Sequence, residues 1–114
     1  MRRGEVYLVN LEASQGAEAN KTRPAIVVSN DAANIAATRN GIGVIAVVPL
    51  TSNVSRVYPF QVLLSEEGGL DRASKAQTEQ LRAIDVSRFG RRLGVLPAAT
   101  IRKLDDALRL HLAL

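Results

Sequence analysis

The sequence predicts a mainly β fold with one short helix after the second strand and an amphipathic helix at the C-terminal end. Three observations carry this reading. Short runs rich in Val and Ile, such as Ala25-Ile26-Val27-Val28, recur between Val6 and Val95 and are bounded by polar or glycine-containing turns. An alanine-rich stretch from Asp31 to Arg39 lies between a capping residue, Asn30 or Asp31, and a stop at Gly41. From Ala98 onward Ile101, Leu104, Leu108 and Leu112 recur at helical spacing, with Arg102, Asp105, Asp106 and Arg109 on the other face.

The elements follow in order. Val6-Tyr7-Leu8-Val9 reads as a first short strand, followed by a polar, glycine-containing loop from Glu12 to Thr22 of a length that often carries function. Ala25 to Ser29 reads as a buried strand. Pro24 fixes its own φ and pushes Arg23 toward an extended conformation, which holds the guanidinium at the rim of a core. Val44 to Thr51 is the next buried strand and Tyr58 to Leu64 follows a polar turn. Gly68-Gly69 marks a loop before a strand from Ser74 to Ile84. That strand is unusual, because Lys75, Gln77 and Glu79 alternate with Ser74, Ala76, Thr78 and Gln80, and neither face is apolar. It is expected to be either solvated or ligand-facing. A turn at Asp85-Val86-Ser87-Arg88 leads to a last strand from Arg91 to Val95.

Length and composition narrow the function classes. A chain of 114 residues with 46% apolar content is expected to fold as a single domain spanning residues 1–114. Twelve Arg and three Lys against eleven acids give a net charge of +4, which favours nucleic acid as the partner class. With no cysteine, disulfides, thiolate nucleophiles and sulfur-bound metal clusters are excluded. His111 is the only histidine, so a two-histidine acid/base pair within one chain is excluded as well. Its place near the end of the C-terminal helix suggests a structural role. The N-terminal residues carry no signal peptide pattern. The most continuous apolar run, Ile42 to Leu50, contains Gly43 and Pro49 and falls short of the roughly 18 residues a membrane span needs. A cytoplasmic protein with no membrane partner is expected.

Arg23 is the first candidate functional residue. A guanidinium at a strand start can clamp phosphate or carboxylate through its planar fork, and phosphate suits a basic chain. The alternative is a rim salt bridge to Glu18 or Glu79.

Five collinear pieces resemble the MazF/PemK/Kid toxins in order and spacing. They are Arg3-Gly4-Glu5-Val6-Tyr7, Gly16-Ala17-Glu18, Thr22-Arg23-Pro24-Ala25-Ile26-Val27-Val28-Ser29, Val47-Val48-Pro49-Leu50-Thr51-Ser52 and Glu79-Gln80-Leu81-Arg82-Ala83-Ile84-Asp85. The resemblance covers nearly the whole chain. It implies an SH3-like antiparallel β-barrel, shared with CcdB, to which the short helix and the C-terminal helix are appended. It also implies a homodimer and a ribosome-independent endoribonuclease that cuts single-stranded mRNA at specific sequences. A small antitoxin with an acidic, flexible C-terminal segment would neutralise it.

RNA supplies its own nucleophile in the 2′-hydroxyl, so such an enzyme needs neither metal nor cofactor. By position Arg23 resembles the family's catalytic arginine, and Thr51 the threonine that hydrogen-bonds the scissile phosphate. The other reading of Thr51 is a strand-end residue capping the Ser52-Asn53 turn. Glu18 and Glu79 both match acidic family positions, and the resemblance leaves open which serves as base. Gln80 resembles a substrate-contacting glutamine. Two departures matter: Ala17 stands where some members have histidine, and Gln77 where some have arginine. Lys75 or Arg82 could supply the missing charge. With only Tyr7, Tyr58, Phe60 and Phe89 as aromatics, base stacking is limited, and recognition should lean on Gln15, Asn20, Ser52 and Asn53 reading base edges. Two rivals share the evidence: a gyrase-inhibiting toxin of the CcdB type, and an RNA-binding barrel without catalysis.

Overall fold

Seven strands pair, all antiparallel, in the computed structural model, which describes residues 1–11 and 22–114. They are β1 (Glu5–Asn10), β2 (Thr22–Val27), β3 (Val44–Thr51), β4 (Gln61–Leu64), β5 (Ser74–Gln77), β6 (Arg82–Asp85) and β7 (Phe89–Val95). Helix α1 (Asp31–Asn40) lies between β2 and β3, and α2 (Ala98–Leu112) follows β7. Single 3-10 turns occupy Glu67–Gly69, Thr78–Gln80 and Val86–Arg88.

The strand order is β4-β5-β3-β2-β1-β7, with β6 paired to β3 off this path. This overturns the expected SH3-like barrel: the fold is mixed α/β, and its large antiparallel sheet does not close. Among the described residues β4 pairs only with β5 and β7 only with β1, so both ends of the path are free edges. The cause lies in the polar segment expected to form one strand from Ser74 to Ile84. A 3-10 turn at Thr78–Gln80 breaks it. The Thr78 hydroxyl donates to the Phe60 carbonyl and Leu81 N–H closes back on the Thr78 carbonyl. The halves then attach to separate parts of one side of β3: β6 along Val44–Val47, and β5 at Leu50 and Thr51. A strand spent in this way does not run on to join the two ends.

The sheet divides the core in two. On one side Leu104, Ala107 and Leu108 of α2 cover Val6, Ile26, Val48, Leu50 and Leu64. On the other, Ala37 of α1 joins Val9, Ala25, Val27, Ile45, Val47 and Ile84. Burial of each large aliphatic side chain contributes about 1.5–3 kcal/mol, which is why β2 and β3, central in the sheet, are apolar almost throughout. Asn30 caps α1 by accepting from Ala33 N–H at 2.8 Å, and Gly41, at φ 68°, ends it. Asn34, wholly buried, was not anticipated. Its amide donates to the Ser29 carbonyl at 2.8 Å, its Oδ1 accepts from the Ser29 hydroxyl, and that hydroxyl oxygen accepts from Ala46 N–H at 3.1 Å. This network ties α1 to the sheet. His111 packs at the end of α2 on the Phe60 ring, 5.7 Å between centroids.

The first and last strands meet at one edge of the sheet. β1 lies between β2 and β7, and Leu96 N–H donates to the Gly4 carbonyl at 3.0 Å. No described helix is long and apolar enough to cross a membrane.

Candidate active site

Strand pairing brings Arg23 and Thr51 together from distant parts of the chain. β2 and β3 pair Ala25 with Pro49, and the same register carried two residues further sets Arg23 opposite Thr51. Both residues line one cleft of about 230 Å³, with Pro24, Leu50 and Ser52 from the same strand ends. Leu70, Asp71, Arg72 and Ser74 close the other wall.

Arg23 is exposed and its side chain has no hydrogen bond or ion pair among the described residues. A fork held without a protein partner is available to an anion. Thr51 Oγ1 accepts from Asn53 N–H at 3.2 Å, which is the turn-capping contact, yet its own O–H remains free to donate toward the cleft. The capping contact fixes the oxygen and the remaining proton can serve a ligand.

The other sequence candidates divide. Ser52 lines the cleft. Asn53 turns its side chain back on its own loop, accepting from Ser55 N–H at 3.3 Å and the Ser55 hydroxyl at 2.9 Å. Lys75 sits opposite Thr51 in the β3–β5 register but is only 8% exposed, and its ammonium donates to the Arg56 carbonyl. It anchors the loop that leaves Thr51. Arg56 in turn lies over the Tyr58 ring, which stacks on Phe60 with centroids 5.5 Å apart. Gln77 is half-buried and pairs with Gln61 across β4–β5, whereas Gln80 and Arg82 are exposed. None of these three, nor Glu79, lines the cleft.

Glu79 has a different setting. Its Oε2 accepts from Gln61 Nε2 at 2.8 Å while Oε1 is buried without a hydrogen-bond partner. Gln15, Glu18 and Asn20 lie outside the described residues.

Asp71 and Arg72 are cleft residues that sequence reasoning missed. Their ion pair, 3.3 Å, is largely solvent-exposed and contributes at most about 1 kcal/mol, so both groups stay available. The signal was Gly68-Gly69 just upstream. Gly69, at φ 83°, lets the turn lie directly on β7: a Cβ there would sit 2.0 Å from the Leu93 carbonyl oxygen. The same turn is braced by Glu67, which accepts from the Thr100 hydroxyl at 2.6 Å and from Ser65 N–H at 2.8 Å. The bond from Thr100, and then those from Ser65, hold the Glu67 carboxyl below its ordinary pKa despite partial burial.

The cleft therefore offers the free Arg23 guanidinium, a second one from Arg72, three hydroxyls and a carboxylate. This set suits a phosphodiester.

Comparison with known proteins agrees. Residues 2–112 match the PemK-like, MazF-like toxins of type II toxin-antitoxin systems. The endoribonuclease MazF9 of Mycobacterium tuberculosis is 56% identical over 115 residues, covering 100% of this chain and 98% of its own. MazF from Deinococcus radiodurans has a crystal structure with a TM-score of 0.74 and 26% identity, covering 100% of this chain and 97% of that one. An endoribonuclease in complex with its cognate antitoxin from a mycobacterial species has the same fold, with a TM-score of 0.78 at 24% identity over 100% of this chain and 96% of that one. With nearly its whole length matched, the chain belongs to the MazF/PemK family of type II toxin-antitoxin toxins.

Proposed function

We propose that this endoribonuclease toxin cuts single-stranded mRNA in the cleft between Arg23 and Thr51. The observation that carries the reading is the free Arg23 guanidinium opposite the Thr51 hydroxyl in one cleft. The ribose 2′-hydroxyl attacks the adjacent phosphorus, its proton passes to a carboxylate, and the bond to the 5′-oxygen breaks. That oxygen takes up a proton, leaving a 2′,3′-cyclic phosphate on one fragment and a 5′-hydroxyl on the other. Arg23 neutralises charge on the non-bridging oxygens and Thr51 donates to one of them. Each such donor is worth about 10²–10³ in rate.

Three carboxylates are candidates for the proton acceptor. Glu18 and Glu79 match family positions, and Asp71 lines the cleft itself. Glu79 differs from Asp71 in that its Oε1 is buried without a hydrogen-bond partner among the described residues and is open to accept one.

The toxin acts as a homodimer and is neutralised by a small antitoxin whose acidic, flexible segment covers the cationic cleft. Support comes from net charge +4 and from the crystallised MazE–MazF complexes of Deinococcus radiodurans, which share the fold.

The test incubates purified protein with mixed-sequence single-stranded RNA in EDTA and sequences the fragment ends, beside Arg23→Ala and Thr51→Ala. Sequence-specific cuts that leave 5′-hydroxyl ends and vanish in both variants are expected. Absence of cutting by folded wild-type protein would overturn the proposal and turn attention to gyrase inhibition.

A further inference from the structure

The cleft at Arg23 does not end there. A second cavity of about 360 Å³ shares Pro24, Leu70 and Asp71 with it and extends across the sheet to Leu8, Leu93 and Arg91. Leu8 pairs with Pro24 across β1–β2, and β7 lies on the far side of β1. Arg91 is thus about two strand spacings, roughly 10 Å, from Pro24.

Arg91 faces this groove because β7 is irregular. Tyr7 pairs with Arg92 and Val9 with Phe89, so Leu8 faces both Gly90 and Arg91 across a bulge. A bulge re-aims the side chain it carries. The adjacent arginines consequently differ. Arg92 donates to Glu5 at 2.7 Å, whereas Arg91 is exposed and has no hydrogen bond or ion pair among the described residues. The groove floor is rigid, since the backbone at Gly68 and Gly69 packs against Leu93 and Gly94 without room for a Cβ.

Resting on the RNA-cleavage reading, we infer that this groove holds the RNA strand flanking the scissile phosphate. Arg91 binds a phosphate of that flank, and Leu8, Pro24 and Leu93 form an apolar wall for its base. Charge argues for this occupant: Arg23 and Arg91 stand unneutralised at the two ends of a continuous groove. The half-buried aliphatic wall between them suits the face of a base. Arg91 is thereby a substrate-binding residue that acts away from the bond being cut.

The test measures cleavage of a series of RNAs lengthened one nucleotide at a time on either side of the cut, by wild type, Arg91→Ala and, as control, Arg92→Gln. Cutting by wild type is read first, so failure of the cleavage reading is seen separately from failure of the groove. With Arg91→Ala the KM should rise about tenfold, with kcat retained, only for RNAs long enough on one side to reach the groove. The salt dependence of binding should flatten by about 0.7 in log–log slope, the share of one single-strand phosphate. Arg92→Gln should leave the slope unchanged. A penalty equal on the shortest RNA, or none on any length, overturns the inference. So does an Arg91→Ala protein that cuts normally but resists an antitoxin, which would assign the groove to a protein partner.

Discussion

Gly69 and Gly41 share a left-handed backbone but not a surrounding, and replacing each by alanine separates strain from collision. Gly41, at φ 68°, has nothing within 4 Å of a built Cβ, so alanine there costs only the conformational term, about 1 kcal/mol. Gly69, at φ 83°, carries the same term, but its Cβ would lie 2.0 Å from the Leu93 carbonyl oxygen and 2.5 Å from the carbon. Those atoms belong to a paired strand and yield only by backbone movement, which adds about 1–3 kcal/mol. In a chain of this size about 1 kcal/mol moves Tm by about 4 °C, so Gly69→Ala should melt about 4–12 °C below Gly41→Ala in a calorimetric or circular dichroism scan. The movement would also displace Asp71 and Arg72 from the cleft. At a temperature where both variants are folded, Gly69→Ala should cut RNA more slowly and Gly41→Ala at the wild-type rate. Equal melting temperatures would refute the reasoning, because the close approach of the turn to β7 would then be doing nothing.

Three other outcomes are expected. Arg23→Lys keeps the charge and loses the planar fork, so its kcat should fall about tenfold, while urea unfolding changes by no more than about 0.5 kcal/mol because Arg23 has no partner among the described residues. Lys75→Met removes the buried ammonium that holds the Arg56 carbonyl, and should cost about 1–3 kcal/mol in the same unfolding assay. The Glu67 carboxyl titrates lower in the folded chain than in the unfolded one, so it stabilises the fold above its ordinary value of 4.5. That contribution is lost as pH falls through the lowered folded value, and Glu67→Gln should flatten the decline of Tm in this acid range.

How much was legible in the sequence depended on whether the signal was local. The Val44–Thr51 strand was read with its observed bounds, since an apolar run closed by Thr51 and Ser52 leaves little choice. Of the two capping candidates, Asn30 and Asp31, the structure selects Asn30, and Gly41 ends α1 as read. The mixed faces of Ser74 to Ile84 read as one solvated or ligand-facing strand, and nothing in them shows that Thr78 turns the chain by bonding to Phe60. Whether a sheet closes is decided by which strands pair, and periodicity carries no record of that. Arg23 could be placed at a strand start from Pro24 alone, whereas its apposition to Thr51 is a matter of register between separate strands. Asp71 and Arg72 enter the cleft by the packing of Gly69 on β7: Gly68-Gly69 marks a loop in the sequence, but not the strand it packs against.

The pairing of the first strand with the last, β1 with β7, bears on how such a toxin is made. β1 precedes the other strands in the chain, yet its second neighbour is the last strand, and the core around Val6 takes in Leu104, Ala107 and Leu108 of α2. Pairing across so long a separation is slow and cannot begin until the distal partner exists. A nascent chain short of β7 and α2 therefore lacks one side of its sheet and the wall that Leu93 and Gly94 give the turn before Asp71. A chain truncated before β7 is expected to lack the formed cleft and to cut no RNA.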